Sequence, residues 1–271
     1  MDLKIMSLQS GSSGNCVLVT NGLTNILVDC GMSLKKCAQS LSEVDLTPDM
    51  IDAVLITHEH IDHIKGLGVL LRKHEVSAYG SNGTLNACIY GRNSIGKVDE
   101  SLLNPIRPGD AFMVGDILVN SFPVTHDAAE PCAYTFSCNG HKIGMATDLG
   151  FYDDNVFKAL LGSEALYIES NHDVNMLEAG TYPFQLKQRI RSEMGHLSND
   201  ECAELVVKLC NSSDIKINEI ILGHLSEENN FPELAYETVN TELYLKVPEE
   251  KRPKVFVAPR FENSHIISIQ I

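Results

Sequence analysis

The sequence predicts an α+β fold in which two mixed β-sheets pack together and helices cover their outer faces. The first half contains short apolar strands separated by turns. CVLVT and TNILVDCG, for example, flank Asn21-Gly22, a dipeptide favoured by two-residue hairpin turns. In the second half, strands such as ALYIES alternate with helical patterns. Because no linker, charge block or low-complexity segment interrupts the chain, residues 1–271 are expected to form a single domain.

Each element is predicted from its own local pattern. Strands are expected where apolar and β-branched residues cluster between turn signals: KIMSL, the two strands around Asn21-Gly22, 52–57, DAFMVGDILVNSF, CAYTFSC, HKIGMATD, ALYIES, INEIILGH, VFVAP and HIISIQI. Helices are expected where apolar residues recur every three or four positions: SLKKCAQSLSEV, 63–74, PFQLKQRIRSEM, SNDECAELVVKLC and PELAYETVNTELYLK. Ser198 and Glu201 form a capping-box pattern that marks the start of the fourth of these helices.

The composition is that of a globular protein, with 44% hydrophobic and 21% charged residues. The N-terminal segment lacks the features of a signal peptide, and no apolar run approaches the ~20 residues that span a bilayer, so no membrane association is expected. The eight cysteines include no CxxC pair and are expected to be reduced thiols of a cytoplasmic protein. A net charge of −15 argues against non-specific binding to duplex DNA but is compatible with a local basic rim.

The segment LITHEHIDHIKG (55–66) concentrates metal-binding side chains at the end of a predicted buried strand. His58 and His60 lie two positions apart, so in extended chain they face the same side, and Asp62 and His63 follow in the turn. Imidazole suits Zn, Mn or Fe, and a neighbouring carboxylate lets a second metal share the site. A lone His-x-His pair is more often structural, but four ligand-type residues within six positions serve no packing purpose. The segment therefore predicts a metal site.

Three further motifs follow along the chain, each after a predicted strand. FPVTHD contains His126, MATDLG contains Asp148 and IILGHLS contains His224. Together with THEHIDH and Gly66, these motifs resemble the ordered signature of the metallo-β-lactamase superfamily, and the resemblance covers essentially the whole chain. It implies a four-layer αββα sandwich, the metallo-β-lactamase fold, with the site at one edge.

The resemblance also implies a binuclear centre. Its ligands form one set for each ion and one bridging carboxylate: His58, His60 and His126; Asp62, His63 and His224; and Asp148. Two divalent ions, Zn²⁺ or Mn²⁺ with Fe as a further option, would activate a bridging hydroxide, which Asp62 or Asp148 would orient. Position 148 is Asp rather than the Cys of zinc β-lactamases. His60 stands where diiron relatives carry Glu, which disfavours redox chemistry.

The Gly-Ser loop SGSSGN is the first feature that indicates a branch of the superfamily. Backbone N–H groups in such a loop would form a nest for an anion, although a plain flexible turn explains the composition equally well. GSSGN at this position resembles phosphodiesterase-like branches, and YycJ-type proteins in particular. The candidate substrate-binding residues of the loop are Ser12, Ser13, Gly14 and Asn15.

Two later motifs contain a candidate general acid and a further candidate contact. Glu169, after a strand, and His196, at a helix start, resemble a Glu–His pair of the tRNA 3′-processing nuclease branch. In that branch the histidine protonates the leaving group or contacts phosphate. His172, in LYIESNHD, is a candidate substrate contact, with an ordinary loop histidine as the equal alternative.

The segment QLKQRIRSE contains Lys187, Arg189 and Arg191 within little more than one helical turn. A solvated helix face is the more common explanation of such a pattern. The alternative is a small basic rim that supplies the positive charge that the acidic chain otherwise lacks. Lys187 and Arg191 are the candidate substrate contacts in this interpretation.

The overall pattern, from GSSGN through ESNHD, GHLSN and GHLSEENN to VAPR, resembles the YycJ/WalJ-type branch. Proteins of that branch are regarded as two-metal phosphodiesterases with 5′-to-3′ exonuclease activity on DNA, linked to repair. The resemblance implies a DNA substrate (RNA is the alternative), attack of hydroxide on phosphorus, and His196 as general acid oriented by Glu169. The segment between Asp148 and His224 is too short for the extra domain of larger nucleases. No obligate protein partner is indicated.

Three other functions remain open from the sequence. A small-molecule phosphodiesterase, for example for cyclic phosphates, would share the Gly-Ser loop and need no basic groove. A lactonase or thioesterase would share the ligands but has no evident use for Glu169 and His196. A metal-binding protein without catalysis is disfavoured by seven intact ligand positions. Aromatic residues make up only 6% of the chain and none is Trp, so no base-stacking platform is evident.

Overall fold

Two seven-stranded β-sheets form the centre of the computed structural model, which describes residues 2–212 and 216–270. In chain order the strands are β1 (Asp2–Gln9), β2 (Cys16–Thr20), β3 (Asn25–Val28), β4 (Ala53–Leu55), β5 (Ser77–Ser81), β6 (Leu103–Ile106), β7 (Ala111–Val114), β8 (Ile117–Pro123), β9 (Cys132–Cys138), β10 (His141–Ala146), β11 (Ala165–Glu169), β12 (Glu219–Gly223), β13 (Lys254–Val257) and β14 (Ile267–Gln270). The first sheet has the order β14-β1-β2-β3-β4-β5-β6, and the second β13-β12-β11-β10-β9-β8-β7. Both sheets mix antiparallel and parallel pairs, as predicted.

Helices cover the outer face of each sheet. In chain order they are α1 (Leu34–Ser42), α2 (Ile61–Ile64), α3 (Leu67–His74), α4 (Asn82–Tyr90), α5 (Asp154–Leu160), α6 (Val174–Ala179), α7 (Phe184–Ile190), α8 (Asn199–Ser212) and α9 (Pro232–Lys246). Between the sheets, side chains such as Val28, Phe136 and Tyr167 form a shared apolar core. A second apolar cluster packs α5, α8 and α9 on the second sheet, and a third packs α1 and α3 on the first. These layers confirm the predicted αββα sandwich.

Parallel strands bring several carboxyl-terminal strand ends to one edge of the sandwich. β3 to β6 run parallel in the first sheet, and β10 to β13 run parallel in the second. The sequences NILV in β3 and AVL in β4 are buried at every position, as expected for parallel strands covered on both faces. Loops at the carboxyl ends of such strands are where α/β sheets place ligand-binding side chains.

The hairpin between β2 and β3 is longer than its Asn-Gly sequence predicts. Thr20 pairs with Asn25, so the connection spans 21–24 and the predicted two-residue turn is wrong. The Asn21 side chain closes this loop by accepting hydrogen bonds from the N–H groups of Leu23 (3.0 Å) and Thr24 (2.9 Å). The same dipeptide at 139–140 does form a two-residue turn, between β9 and β10.

Two predicted helices are shorter than their patterns. The pattern over 63–74 is divided between α2 and α3 at Gly66, where a Cβ atom would lie 2.0 Å from the Met32 carbonyl oxygen. Helix α7 ends at Ile190 because the chain turns back, and the His196 N–H donates to the Ile190 carbonyl at 2.9 Å. The sequence patterns did not predict β5, β6, α4, α5 or α6.

All eight cysteines are buried and free of disulfide bonds. Burial raises the pKa of Cys88 and of Cys132 to about 12, which keeps both thiols protonated and unreactive at neutral pH. Within residues 2–212 and 216–270, no helix has the length and apolar character that a membrane span requires.

Candidate metal centre

The first four predicted ligands lie between the end of β4 and the end of the short helix α2. His58 follows the strand, and His60 is the residue directly before α2. The helix turns Asp62 and His63 back toward His58. The His58 ring centroid lies 4.5 Å from that of His60 and 4.1 Å from that of His63. His58 and His63 are both 1% exposed. The motif therefore forms one compact group at the sheet edge.

The other three predicted ligands follow strands of the second sheet. His126 lies after β8, Asp148 after β10 and His224 directly after β12. Asp148 and His224 both have a φ of 57°, in the left-handed region, which costs a non-glycine residue of the order of 1–3 kcal/mol. This backbone conformation turns both buried side chains toward the histidines that follow β4.

Distances place these residues in two triads with one carboxylate near both, and His58, His63 and Asp148 form a further close group that joins the two triads. The ligand atoms of one triad lie within 4.8 Å of one another, and so do those of the other: His58, His60 and His126; Asp62, His63 and His224. Asp148 Oδ2 lies 3.4 Å from His63 Nε2, and Asp148 Oδ1 lies 3.8 Å from His126 Nε2 and 3.6 Å from His224 Nε2. The structure thus brings all seven predicted ligands together, in the grouping that the resemblance implies.

Asp29 orients two of the histidines through their Nδ1 atoms, His63 directly and His58 by way of Thr57. It directly follows β3 with a φ of 60°, and its Oδ2 accepts hydrogen bonds from His63 Nδ1 and from the Thr57 hydroxyl, both at 2.8 Å. The Thr57 hydroxyl in turn accepts from His58 Nδ1 at 3.0 Å. Because both Nδ1 atoms act as donors, Nε2 is the nitrogen of each ring that can bind a metal ion, and that of His63 has Asn15 Nδ2 at 3.0 Å. The sequence interpretation missed Asp29, although an Asp directly after a buried strand, in ILVDCG, was the available signal.

Glu169 has the same role on the second sheet. It is fully buried at the end of β11, and its Oε1 accepts from His224 Nδ1 at 2.7 Å and from His196 Nδ1 at 2.8 Å. Its Oε2 accepts from the N–H groups of Leu149 (2.9 Å) and Leu197 (3.2 Å). Despite burial, the two histidines hold the pKa of Glu169 well below its usual range. Glu169 lies close enough to Asp148 to share an ion with it, but its four hydrogen bonds favour an orienting role.

Several buried ligand atoms have no hydrogen-bond partner among residues 2–212 and 216–270. His58 Nε2, His224 Nε2 and Asp148 Oδ2 are buried without a hydrogen bond, which costs about 1–3 kcal/mol for each group unless a bound ligand contacts it. Burial lowers the pKa of His58, so its imidazole is neutral, the form that binds metal. Although burial opposes ionisation, His63 and His224 hold the pKa of Asp62 well below its usual range. Despite burial, the surrounding carboxylates raise the pKa of His63 and His224, so a divalent ion bound at these rings would displace a proton from each. Imidazole beside ionised carboxylate is a donor set that fits divalent metal ions.

A cavity of about 210 Å³ opens onto this centre. His196 lines it with a side chain that is 15% exposed, and since Nδ1 donates to Glu169, Nε2 is available to a bound molecule. Arg189 is the one Lys or Arg among the described lining residues, and its Nε donates to Asp127 Oδ2. Asp127 also lies 3.3 Å from His126 Nε2. The sequence interpretation placed Arg189 in the basic segment but selected its neighbours, and it missed Asp127, which directly follows the His126 ligand.

Lys187 and Arg191 line an adjoining cavity rather than this one. The Lys187 ammonium donates to the carbonyl oxygens of Glu178 (2.6 Å) and Gly180 (2.7 Å), which holds the turn between α6 and α7. The Arg191 guanidinium forms an ion pair with the Glu178 carboxylate. The basic segment is thus divided, with Arg189 facing the metal centre and its two neighbours facing the adjoining surface.

The Gly-Ser loop contacts the centre mainly through one side chain. Asn15 Nδ2 lies 3.2 Å from Asp62 Oδ2 and 3.0 Å from His63 Nε2, and Ser12 lines the cavity. The N–H groups of Gly14 and Asn15 donate to protein carbonyls, so these two are occupied and do not contribute to an anion nest. The Ser13 hydroxyl is buried without a hydrogen-bond partner among the described residues.

His172 lies behind the cavity instead of lining it. It is 2% exposed and pairs with Ser198 in an isolated β-bridge, while its carbonyl accepts from the Asn199 N–H at 2.9 Å. Burial lowers the pKa of His172 to about 4, so the ring is neutral at pH 7. The neighbouring Asn171 lines the cavity and donates through Nδ2 to the His224 carbonyl at 2.9 Å.

Comparison with known proteins gives one family and several close relatives. Residues 24–217 match the Beta-lactamase superfamily domain. Exodeoxyribonuclease WalJ of Streptococcus pneumoniae is 40% identical over 240 residues, which is 89% of this chain and 88% of that protein. Exodeoxyribonuclease YycJ of Bacillus anthracis is 39% identical over 251 residues, which is 93% of this chain and 91% of that protein.

Among solved structures, the metallo-β-lactamase fold protein YhfI of Bacillus subtilis superposes with a TM-score of 0.71 at 16% identity, over 99% of this chain and 100% of that one. At that identity the likeness supports the fold alone. The sequence matches go further, because they extend over most of both chains and confirm the branch that the motifs predict. The chain belongs to the β-lactamase superfamily and, within it, to the family that includes WalJ and YycJ.

Proposed function

We propose that this protein is a metal-dependent phosphodiesterase that degrades DNA stepwise from a 5′ end, in repair or processing. The observation that carries the proposal is the pair formed by His196 and Glu169 beside the seven ligand residues. Such a pair serves phosphodiester cleavage, in which a leaving oxygen needs a proton, and has no evident use in lactone or thioester hydrolysis. The choice of DNA is supported by the two relatives named exodeoxyribonucleases. RNA remains the alternative nucleic-acid partner.

The proposed centre holds two divalent ions, Zn²⁺ or Mn²⁺ with Fe as a further option. His58, His60 and His126 would hold one ion, Asp62, His63 and His224 the other, and Asp148 would contact both. When bound, such ions supply a nucleophile at neutral pH and offset negative charge on the phosphate. The orphaned nitrogen and oxygen atoms described above support this assignment.

The chain's own side chains perform the remaining steps. Asp62, which lines the cavity, accepts a hydrogen bond from the attacking water and fixes its direction. His196 donates a proton from Nε2 to the leaving oxygen, while its Nδ1 stays bound to Glu169 and the carboxylate stabilises the protonated ring. Arg189 contributes the positive charge that the acidic chain lacks at this place, and its terminal guanidinium nitrogens would donate to a phosphate oxygen.

We further propose that residues 1–271 act as a single hydrolase domain without an inserted nuclease domain and without an obligate protein partner. The apolar core shared by both sheets supports one domain, because neither sheet buries its inner face alone. A cytoplasmic location is proposed from the eight buried cysteines, none of which forms a disulfide bond.

The test uses protein loaded with Mn²⁺ or Zn²⁺ and DNA labelled at the 5′ or the 3′ end, single- and double-stranded, with and without a 5′ phosphate. We expect early release of the 5′ label, progressive shortening of 3′-labelled strands and no cleavage of circular single strands. Equal cleavage of circular DNA would replace the exonuclease by an endonuclease. Hydrolysis of bis(4-nitrophenyl) phosphate with intact DNA and RNA would make the protein a small-molecule phosphodiesterase.

The role of His196 has a matched control within the chain. His141 forms the same kind of pair, with Nδ1 2.8 Å from Glu164 Oε1, but at the opposite end of the strands. We expect His196→Ala to lower kcat by about 10²- to 10⁴-fold with the metal content unchanged, and His141→Ala to leave both unchanged. Loss of metal from His196→Ala, measured by plasma mass spectrometry, would show that His196 is a ligand rather than an acid.

A further inference from the structure

A second surface cavity, of about 650 Å³, adjoins the cavity of the metal centre. Its lining residues are Glu178, Tyr182, Phe184, Lys187, Gln188 and Arg191. Tyr182 lines both cavities, so the two are neighbours at this residue. Helix α7 separates them, because Arg189 and Ile190 face the metal centre while Lys187 and Arg191 face the second cavity. The second cavity is therefore the surface next to the metal centre onto which a polymer bound there would extend.

The second cavity presents an exposed aromatic ring. Phe184, the first residue of α7, is 71% exposed, although an apolar ring of this size normally packs into a core. Tyr182 lies two residues earlier at the junction of the two cavities. The low aromatic content of the chain gave no sign of a stacking surface, because the fold concentrates two of its few rings at the mouth of the site.

The cavity that these rings line also has two cations, Lys187 and Arg191, and one carboxylate, Glu178, in an otherwise acidic protein. Lys187 is fixed by its hydrogen bonds to the Glu178 and Gly180 carbonyl oxygens. The Arg191 side chain is 50% exposed and, within the described residues, pairs with one carboxylate, that of Glu178. Planar aromatic rings beside Lys and Arg match the alternation of flat bases and anionic phosphates in a single strand of nucleic acid. A neutral apolar ligand would make no use of the two cations.

We infer that the second cavity is a nucleotide-binding subsite, in which a base of single-stranded DNA stacks on Phe184 and the adjoining phosphate contacts Arg191. The inference rests on the proposed nuclease function and specifies it: the bound end of the substrate is unpaired, because a base inside a duplex exposes no face to the ring. The subsite binds substrate next to the scissile bond and takes no part in the chemistry.

The test compares Phe184→Ala and Phe184→Trp with Tyr244→Ala. Tyr244 is 67% exposed in α9 and contacts Arg252, which precedes β13 and so lies at the edge opposite the metal centre. The substrates are a 5′-phosphorylated oligothymidylate, the same strand with abasic sites near its 5′ end, and bis(4-nitrophenyl) phosphate. Thermal unfolding verifies that each variant is folded.

We expect Phe184→Ala to raise KM for the oligothymidylate about 10-fold, with kcat nearly unchanged, since a stacked base is worth roughly this factor or more. Phe184→Trp should restore KM, and Tyr244→Ala should match the parent protein. On the abasic strand the effect of Phe184→Ala should disappear, and hydrolysis of the small diester should be equal in all variants.

Two outcomes separate the inference from the function on which it rests. If the parent protein degrades the oligothymidylate and Phe184→Ala has the same KM, the subsite is wrong and the nuclease function stands. If the parent protein hydrolyses only the small diester, and fluorescence anisotropy detects no binding of the oligothymidylate, the proposed function and the subsite are both wrong.

Discussion

The tetrapeptide Gly-His-Leu-Ser occurs twice in the chain, at 195–198 and at 223–226. The histidines of the two copies share one carboxylate as a hydrogen-bond partner. His196 of the first copy and His224 of the second both donate through Nδ1 to Glu169 Oε1, at 2.8 and 2.7 Å. His224 Nε2 is buried, has no hydrogen-bond partner in the described part of the chain and lies 3.6 Å from Asp148 Oδ1. The His196 ring instead lines the open cavity. Identical side chains with the same partner therefore face different surroundings.

The backbone that leads into each copy produces the difference. The second copy continues directly from β12 with a left-handed φ of 57° at His224, whose N–H donates to the Ser10 hydroxyl at 2.8 Å. The first copy lies in the turn between α7 and α8, where the Gly195 carbonyl accepts from His126 Nδ1 at 3.0 Å. The first copy thus orients a ligand of one triad through its backbone, and the second copy supplies a ligand of the other.

The largest difference between the copies is expected from alanine at their histidines. His224→Ala removes a nitrogen ligand of the proposed second ion, so we expect the protein to lose about one metal equivalent. We also expect activity to fall more than ~100-fold, which exceeds the usual effect of losing a residue that only orients a ligand. His196→Ala should retain both equivalents. Metal content by plasma mass spectrometry, together with kcat on end-labelled DNA, measures both effects. Full metal content in His224→Ala would remove the distinction between the copies.

Glu169→Gln tests what the two copies share. The amide has one oxygen for four donors, so at least one donor loses its acceptor, and the negative charge that holds both histidines is lost. We expect a fall of about 10- to 100-fold in activity and weaker binding of one metal equivalent. Metal titration and steady-state kinetics on the same protein measure the two effects.

The matched control for that substitution lies at the other end of the same strand. Glu164 directly precedes β11 as Glu169 ends it, and its Oε1 accepts from His141 Nδ1 at 2.8 Å. Glu164→Gln should leave activity and metal binding unchanged. A comparable loss of activity and metal binding in Glu164→Gln and Glu169→Gln would mean that both carboxylates act only through folding.

Much of this site could be predicted from the sequence because its ligands are a local pattern of rare residues at strand ends. His58, His60 and His63 stand together in one motif, and the strand before them has an unambiguous apolar sequence. The order of the later motifs made the two-sheet fold predictable as well. Residue types and their order were sufficient for these features.

The supporting partners could not be predicted in the same way, because they depend on contacts between distant segments. The position of Asp29 directly after a buried strand marks it as a candidate, but its contact with His63 depends on the pairing of β3 with β4, which the local sequence does not show. The direction of Arg189 depends on how far α7 rotates before it ends at Ile190, which helical spacing alone does not determine. For this reason the sequence interpretation selected Lys187 and Arg191 as substrate contacts, whereas Arg189 is the residue that lines the cavity of the metal centre.

The smallest expected difference between the copies concerns their serines and stability. Ser198 closes the predicted capping box of α8: its N–H and hydroxyl donate to Glu201 Oε2 at 2.8 and 2.7 Å, and its Oγ accepts from the Glu201 N–H. The Ser226 hydroxyl, in a loop, accepts only from Asn229 among the residues that the structure describes. We expect Ser198→Ala to lower the free energy of unfolding by about 1 kcal/mol, and Ser226→Ala to lower it by less than about 0.5 kcal/mol. Urea denaturation at a fixed metal concentration measures both, and equal losses would mean that the helix cap does not distinguish the two copies.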